Sequence, residues 1–390
     1  MCIQKNSSTF APQIEKRKRQ FPVINYYVML HTLHSNLHTE DVELPFDVPE
    51  IFLEDHQVVA VLTGGTESQF VQLVKDKKID LTQPIYLMVS GHSNSLAASL
   101  EILSYIRQHD GVGKVMQDAD DTQIKDNSYV SQLTREPSEY VLHSDKPLRL
   151  GVVGFPSDWL IASAADYEMV LRNMNIELVD IPIERVTSLG EVDGGIEGAN
   201  QIYNRLHDIV EEFDLQGVTL RCFDLLTTVK NTGCIALSKL NDEGIPAACE
   251  GDIPTLLTMM VCKRLTGEVG FQVNPARIQP DGQILFAHCT LPLKMTTKHE
   301  LTTHFESGIG VAIHGELPVG EYTLVKLSGD MKRLLAEDVT LGRCQYEPNL
   351  CRTQVWIKAT PALCNYFLSA PIANHHVLIL GHHAAKFVRK

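Results

Sequence analysis

The chain has 390 residues, of which 44% are hydrophobic and 21% are charged, a composition typical of a globular protein rather than a disordered or fibrous one. This length exceeds the usual domain size, so we expect about two or three domains. The net charge of −14 argues against a nucleic-acid groove or an anionic membrane surface as the partner.

Residues 1–20 are polar and contain a Lys-Arg-Lys-Arg cluster at 16–19, without the adjacent apolar core that a signal peptide has. No stretch elsewhere approaches the ~20 apolar residues of a membrane span. The nine cysteines are scattered singly and form neither a Cys-x-x-Cys pair nor a disulfide framework. We therefore expect a cytoplasmic protein whose thiols are reduced and mostly buried.

The first part of the chain alternates predicted strands and helices, which is typical of a parallel α/β sheet. The strands are predicted at 23–29, 58–62 and 85–89, and the helices at 68–75 and 96–107. A glycine-rich loop at 63–67 lacks a lysine and a complete Gly-x-Gly-x-x-Gly, so it predicts a tight turn rather than a nucleotide site. The loop at 90–95 should lie at the same sheet edge, so both loops are candidates for a joint ligand role, and His92 and Asn94 are candidates for substrate binding.

Residues 109–145 are polar with little periodicity and are interpreted as a surface connection. A second alternating pattern then predicts another α/β unit, with strands at 148–154, 177–181 and 217–220 and helices at 164–174, 199–213 and 233–240. Arg221 follows the last of these strands. An arginine there either holds an anionic or hydroxylated substrate or forms a structural salt bridge.

The sequence Cys-Glu-Gly-Asp at 249–252 stands between a short apolar segment and a helical pattern at 253–264. A carboxylate at such a junction lies where open α/β sheets place ligand chemistry, so Glu250 is a candidate functional residue. The alternative is that Glu250 only interacts favourably with the helix dipole. Asp252 is expected to cap the helix, with Pro254 in its first turn.

Beyond Gly267 the helical periodicity gives way to short alternating segments separated by turn signals, which predicts an antiparallel sheet or barrel. The segments lie at 269–273, 283–287, 310–313, 322–327, 354–358 and 376–380. The predicted architecture is therefore two doubly wound, Rossmann-like α/β domains followed by a C-terminal antiparallel β-barrel domain. The domain boundaries are expected at 1–145, 146–267 and 268–390.

Histidines are concentrated in the final third of the chain, beside carboxylates and amides. The candidate site residues there are Asn274, His288, His304, Glu306, Asn374, His375, His376, His382 and His383. Imidazole and carboxylate together suit Mn, Fe, Co, Ni or Zn, so the clustering suggests a metal or acid/base site. The spacing matches no local motif such as His-Glu-x-x-His. A histidine on a strand is more often a hydrogen-bonded core residue, which we apply to His299, His314 and one member of each His-His pair.

Four short motifs resemble the L-fucose isomerase and L-arabinose isomerase superfamily. They are Cys-Glu-Gly-Asp at 249–252, Leu-Thr-Gly at 265–267, Ala-Asn-His at 373–375 and Leu-Ile-Leu-Gly-His at 378–382. The order of two α/β domains and a C-terminal barrel is similar as well. The segments at 304–320 and 350–354 look like those of a shorter, fucose isomerase-like branch.

The resemblance implies an aldose–ketose isomerase that acts through a metal-bound cis-enediol, with a divalent metal that is commonly Mn²⁺. Glu250 then matches a metal ligand that is also the acid/base residue, and His288 and His375 match further ligands. The candidate substrate-binding residues are Arg221, His304, Glu306, Asn374, His92 and Asn94. The resemblance also implies a homo-oligomer, either a trimer or a hexamer.

Asn274 departs from the pattern, because the fucose isomerases carry an aspartate ligand at this position. Its amide oxygen can face a metal but cannot act as a base, although Asn274 stays a candidate catalytic residue. One hypothesis is an active isomerase of a free or substituted sugar, in which His288 or Glu306 supplies what Asn274 cannot. The alternative is a catalytically weakened sugar-binding or regulatory relative. A metallohydrolase with the same residues is a more distant third.

Overall fold

The computed structural model describes residues 30–36, 42–44, 57–116, 133–136 and 146–387. The strand predicted at 23–29 lies outside these described residues. Among the helices in the described ranges, none is both long and apolar enough to cross a membrane.

The first sheet has four parallel strands in the order β1-β2-β3-β4. The strands are β1 (Leu30–Leu33), β2 (Gln57–Val61), β3 (Ile85–Val89) and β4 (Gly113–Met116), and the helices are α1 (Glu67–Lys75) and α2 (Ser95–Gln108). Every residue of β3 is buried, as expected of an inner strand in a parallel sheet. Strand β4 corrects the prediction of a structureless connection at 109–145, because Val115 and its neighbours complete this sheet.

The second sheet is also parallel, in the order β7-β6-β8-β9. Its strands are β6 (Leu148–Val153), β7 (Ile176–Ile181), β8 (Gly217–Leu220) and β9 (Ala247–Cys249). The helices of this region are α3 (Tyr167–Met174), α4 (Glu184–Thr187), α5 (Ile196–Glu212), α6 (Leu225–Thr228), α7 (Cys234–Asp242) and α8 (Ile253–Thr266). The chain leaves β6, β8 and β9 at the same carboxyl edge, so the loops that follow these strands meet there.

Six antiparallel strands close into a barrel in the order β14-β17-β10-β11-β16-β15, and β14 pairs with β15 to complete it. They are β10 (Phe271–Ile278), β11 (Gln283–His288), β14 (Gly320–Leu327), β15 (Leu334–Gln345), β16 (Thr353–Lys358) and β17 (His376–Leu380). The short strand β5 (Thr134–Arg135) pairs with β15, which again corrects the connection predicted at 109–145. The predicted antiparallel barrel is confirmed.

Three elements of this region were not predicted: β15, the strand β12 (Lys298–Thr302) and the helix α9 (Pro361–Ser369). Strand β12 forms a separate hairpin with β13 (Ala312–Glu316). The loop between them carries His304 and Glu306. Single 3-10 turns complete the described structure at Cys222–Asp224, Leu293–Met295 and Ala384–Phe387.

Shared apolar cores join the two sheets to the barrel. Helix α2 has eleven of its 14 residues buried, so it packs on the first sheet and on the barrel at once. One core contains Leu103 of α2 together with Phe271 and Phe286 of the barrel. A second core contains Leu256 of α8 together with Val325 of β14.

The buried carboxyl group of Glu101, on α2, ties the three regions together. Its Oε2 accepts a hydrogen bond from Ala162 N at 2.8 Å, in the segment between β6 and α3. Its Oε1 accepts hydrogen bonds from Ser163 Oγ at 2.8 Å and from Asn374 N at 3.2 Å, just before β17. Burial raises the pKa of this carboxyl group. The three donors fix the segments that border the site described next.

Candidate metal centre and adjoining pocket

A tight turn after β9 presents Glu250. The φ angles of Glu250 and Gly251 are +63° and +61°, both in the left-handed region, which costs a non-glycine residue about 1–2 kcal/mol. A Cβ on Gly251 would lie 2.8 Å from Phe155 O, so only glycine fits there. Asp252 then caps α8 by accepting a hydrogen bond from Thr255 N at 2.7 Å, which confirms the predicted cap.

Glu250, His288 and His375 offer ligand atoms that all lie within 4.8 Å of one another. Glu250 Oε1 is 3.5 Å from His375 Nε2 and 4.0 Å from His288 Nε2. The glutamate follows β9, His288 ends β11 and His375 immediately precedes β17. The fold therefore brings together the three residues that the sequence predicted as metal ligands.

Each imidazole is held by its other ring nitrogen. His375 Nδ1 lies 2.8 Å from Asp252 Oδ2, and His288 Nδ1 lies 3.1 Å from Thr290 Oγ1. His375 Nε2 is buried and has no hydrogen-bond partner. Metal-binding histidines are held in this way, with one nitrogen oriented by a neighbour and the other left for the metal. The residues present therefore fit a divalent cation.

The charges around this group favour an ionised carboxylate. Burial alone would raise the pKa of Glu250, but His375, His288 and the Trp159 N–H outweigh it and hold that pKa below its usual value. Burial lowers the pKa of His288 to about 4, and repulsion from His375 adds to this effect. The carboxylates of Glu250 and Asp252 outweigh burial at His375 and raise its pKa to about 9.

A pocket of about 870 Å³, open to solvent, adjoins this group. Its polar lining consists of Glu67, Asn94, Glu250, Asn274, Glu306 and Asn374. Trp159 and Phe223 line it with apolar surface, and their rings meet edge to face at 5.5 Å. Trp159 Nε1 also donates a hydrogen bond to Glu250 Oε2 at 3.0 Å. Aromatic rings beside carboxylate and amide groups suit a ligand that has both C–H faces and hydroxyl groups.

Three of the six predicted substrate-binding residues, Asn94, Glu306 and Asn374, line this pocket. Asn94 Nδ2 donates a hydrogen bond to Glu306 Oε1 at 2.7 Å, although these residues are far apart in the sequence. The Asn374 amide oxygen accepts a hydrogen bond from His375 N at 2.5 Å. His304 lines a narrower inner cleft, together with His288.

Two predicted substrate-binding residues are among the linings of neither the pocket nor the inner cleft. His92 is exposed, and its Nδ1 lies 2.8 Å from Asn349 Nδ2. Arg221 forms ion pairs with Asp158 at 3.0 Å and with Asp224 at 3.2 Å. Its guanidinium also lies 4.9 Å from the centre of the Trp159 ring. The structure thus shows salt bridges of Arg221, one of the two roles that the sequence predicted for this residue. Substrate contact by His92 or Arg221 stays a prediction.

Among the histidines treated as core residues, His314 is hydrogen-bonded as expected, and in the pair His375-His376 the buried, hydrogen-bonded core member is His376. His376 Nε2 lies 2.9 Å from Tyr366 Oη, and His314 Nδ1 lies 2.7 Å from Arg352 O. His299 is exposed instead, because β12 lies at the surface, so its assignment to the core was wrong.

Trp159 was missed in the sequence, and Glu67 was predicted only as part of the loop at 63–67 and not as a site residue of its own. Glu67 and Trp159 both follow strands of the parallel sheets, and that position is the signal that could have identified them. Five cysteines also converge on the inner cleft: Cys222, Cys234, Cys249, Cys289 and Cys351. All eight cysteines in the described ranges are free, six of them are buried, and Cys222 Sγ lies 3.0 Å from Cys249 Sγ. The predicted burial of most thiols is thereby confirmed for the described part, and their reduced state stays a prediction. The spacing of the cysteines in the sequence does not indicate that five of them converge.

The fold and this site define an α/β protein with a C-terminal barrel and a Glu-His-His centre. No family model matches the chain. The chain is similar to a sulfoquinovose isomerase of Alkalicoccus urumqiensis, with 24% identity over 156 residues, 38% of this chain and 35% of that protein. It is also similar to a sulfoquinovose isomerase of Clostridium sp. (strain MSTE9), with 30% identity over 91 residues, 23% of this chain and 20% of that protein. The chain therefore spans about a third or less of the length of these curated relatives.

Proposed function

We propose that the protein is an aldose–ketose isomerase that holds a divalent metal, Mn²⁺ in our hypothesis, at Glu250, His288 and His375. One observation carries the proposal: two imidazole Nε2 atoms face one carboxylate while each Nδ1 is engaged by an outer partner. The similarity to two proteins named as sugar isomerases supports a sugar as the substrate. A bound metal would supply Lewis acidity at two adjacent sugar oxygens. The proton moves between the two carbons that carry these oxygens.

The protein's own groups then position the sugar and move the proton through a cis-enediol. Trp159 holds one oxygen of Glu250, so the carboxylate keeps a fixed orientation. Glu306 lines the same pocket, and burial raises its pKa while that of Glu250 stays low. Two carboxyl groups in such different environments suit the two halves of a proton transfer, with Glu250 as base and Glu306 as acid. Asn274 contributes a neutral acceptor only.

Asn274 is also the observation that favours a second candidate function, a catalytically weakened sugar-binding or regulatory protein. Its Oδ1 is buried without a hydrogen-bond partner beside the pocket. A neutral amide gives a cation less stabilisation than a carboxylate would. Under this alternative the pocket still takes a sugar, but turnover is absent.

Elemental analysis of the purified protein tests the proposal, with Glu250→Gln and His375→Ala as variants and the exposed pair Glu300→Gln and His299→Ala as matched controls. We expect near-stoichiometric metal in the wild type and the controls, and at least a tenfold loss in both site variants. Screening aldoses for ketose formation follows. A metal-free protein that cannot be reloaded with Mn²⁺ contradicts the mechanism. Bound metal without turnover of any aldose selects the weakened relative.

The cytoplasmic location and the assembly into a trimer or hexamer stay predictions. Light scattering coupled to size-exclusion chromatography of the full chain measures the assembly directly. A monomer at micromolar concentration would remove the oligomer from the proposal while leaving the metal centre intact.

A further inference from the structure

The buried polar atoms that lack a partner are concentrated at the pocket. Among the described residues, six buried side-chain nitrogen or oxygen atoms make no hydrogen bond, and four of them belong to Glu67, Asn94, Asn274 and His375. The first three are oxygens, Glu67 Oε2, Asn94 Oδ1 and Asn274 Oδ1, and all three residues line the pocket. Leaving such groups unpaired costs about 1–3 kcal/mol each, so a ligand that offers donors would be stabilised here.

The orientation of the Asn94 amide follows from its neighbour. Its nitrogen donates to Glu306 Oε1, and its oxygen, Oδ1, is left without a hydrogen-bond partner. This free oxygen and Glu67 Oε2 belong to two consecutive loops of the first sheet, those after β2 and β3. Together they form an acceptor-rich wall on a different element from the Glu250 turn.

No lysine or arginine is among the described residues that line this pocket, whereas Glu67, Glu250 and Glu306 are. Arg221 is engaged by Asp158 and Asp224 and lies against the Trp159 ring, so its charge is already compensated. Burial, reinforced by repulsion from Glu101, Glu250 and Glu306, raises the pKa of Glu67 to about 8. Among the described residues that line the pocket, an anionic tail on a sugar would therefore meet no lysine or arginine, which makes its burial costly.

Hydroxyl groups, by contrast, both donate and accept hydrogen bonds. A sugar hydroxyl can donate to an ionised Glu67 and accept from a protonated one, whereas a sulfonate or phosphate can pair only with the protonated form. A neutral sugar can therefore form a hydrogen bond with Glu67 whether its carboxyl group is ionised or protonated.

Resting on the proposed function, we propose that the substrate is a neutral sugar whose hydroxyls distant from the isomerised carbons bind Glu67 and Asn94. Glu67 is then a specificity-determining residue, and sugars with an anionic tail are excluded. This substrate class differs from the one named for the two curated relatives.

The test compares two ligands that differ at one group, glucose and its 6-sulfonate counterpart sulfoquinovose, together with arabinose and fucose as further neutral aldoses. Calorimetric binding is measured on metal-loaded and metal-free protein, beside turnover. We expect at least one neutral aldose to bind at least 100-fold more tightly than sulfoquinovose in both forms. Preferential binding or turnover of sulfoquinovose would overturn the proposal. This holds whether the positive charge that pairs with the sulfonate comes from a neighbouring subunit or from elsewhere.

The Glu67→Gln variant tests the assigned residue, with the exposed Glu168→Gln as the control. We expect the dissociation constant for the neutral aldose to rise about tenfold, as for the loss of one hydrogen bond, with metal content unchanged. Unchanged sugar binding in Glu67→Gln removes Glu67 from the site. Sugar binding to the metal-free protein distinguishes the substrate proposal from the isomerase proposal. A protein without isomerase activity can still bind the neutral sugar more tightly than sulfoquinovose.

Discussion

Asp252 serves two neighbours with its two oxygens. Oδ1 accepts the capping hydrogen bond from Thr255 N, and Oδ2 lies 2.8 Å from His375 Nδ1. Lys326 Nζ lies 3.8 Å from the same Oδ2, and both side chains of this ion pair are fully buried. Although burial favours the neutral acid, Lys326 and His375 hold the pKa of Asp252 well below its usual range. One residue therefore connects helix capping, a buried ion pair and the orientation of a metal ligand.

Replacing Asp252 by asparagine keeps a good N-cap but removes the charge. We expect metal affinity to fall about 10- to 100-fold, as for other outer partners of metal-bound histidines. We also expect a loss of about 3–5 kcal/mol of stability, because Lys326 is left buried without a counter-charge. The double variant Asp252→Asn/Lys326→Met should regain stability but not affinity. Urea unfolding and metal titration measure the two quantities, and joint recovery of both would mean that Asp252 acts only through the fold.

Glu67 should make stability depend on pH. Its pKa is raised from 4.5 to about 8 in the folded protein, so the folded state binds this proton more tightly than the unfolded chain. The folded state is therefore progressively destabilised as pH rises from 4.5 to 8. At pH 8, Glu67→Gln should be more stable than the wild type by up to about 5 kcal/mol, since one pKa unit is about 1.4 kcal/mol. Chemical unfolding at pH 5 and pH 8 checks this, and an equal difference at both values would contradict it.

At the same scale, the pattern of residues alone identified Glu250, because a carboxylate at the end of a strand is a recognisable signal. The partnership with His288 and His375 came from the resemblance to a family and not from spacing. The Asp252–His375 contact spans 123 positions, and no local motif encodes such a pair. The cap predicted for Asp252 accounts for only one of its oxygens, so its second role was invisible in the sequence.

At the scale of elements, the turn at Glu250 and Gly251 is the most constrained piece of backbone at the site. We expect Gly251→Ala to cost about 2 kcal/mol or more, from the left-handed conformation and the contact with Phe155 O, and to abolish tight metal binding. Gly244 is the matched control, since its φ is +81° and nothing lies within 4 Å of a Cβ placed there. Gly244→Ala should cost about 1 kcal/mol and leave metal affinity unchanged. Equal effects on affinity would show that the turn does not position Glu250.

The elements that were predicted are those with strong local periodicity, such as β3 with its five buried residues and α8 with its capping Asp252. Strand β15 was missed because its first half, Leu-Leu-Ala-Glu-Asp, is composed largely of helix-favouring residues and it becomes a strand by pairing with β14 and β16. Helix α9 did carry start signals, Thr360 as the cap and Pro361 in the first turn, and these were overlooked.

At the scale of the whole molecule, Glu101 links three segments that are far apart in the sequence: its own helix α2, the segment between β6 and α3, and the residue before His375. We expect Glu101→Ala to cost about 2–5 kcal/mol, because three donors lose their acceptor and a cavity forms. Ser99→Ala is the control, since the Ser99 hydroxyl is buried in the same helix but bonds only Ser95 O. It should cost less than about 1 kcal/mol. Urea unfolding measures the stability of both variants. A similar loss of stability in the two variants would contradict the role of Glu101 in linking the three regions.

The parallel-strand sheets and the antiparallel barrel were accessible from the sequence, because strand and helix periods differ sharply along the chain. Their mutual placement was not. It depends on contacts such as that of Asn374 with Glu101, which spans 273 positions, and on a helix, α2, that is buried on nearly every side. Helix prediction from hydrophobic periodicity assumes one buried and one exposed face. It cannot predict the packing of a helix that is buried on nearly every side.

The distance along the chain between Asp252 and His375 has a consequence for how the metal arrives during synthesis. Translation adds about 5–20 residues per second, so the 123 positions between the two residues separate their emergence by on the order of ten seconds. Glu250 leaves the ribosome without His375, and the ion has no complete set of ligands until the barrel closes. The proposed cation would therefore be selected by the folded barrel and not by a nascent chain that still lacks His375.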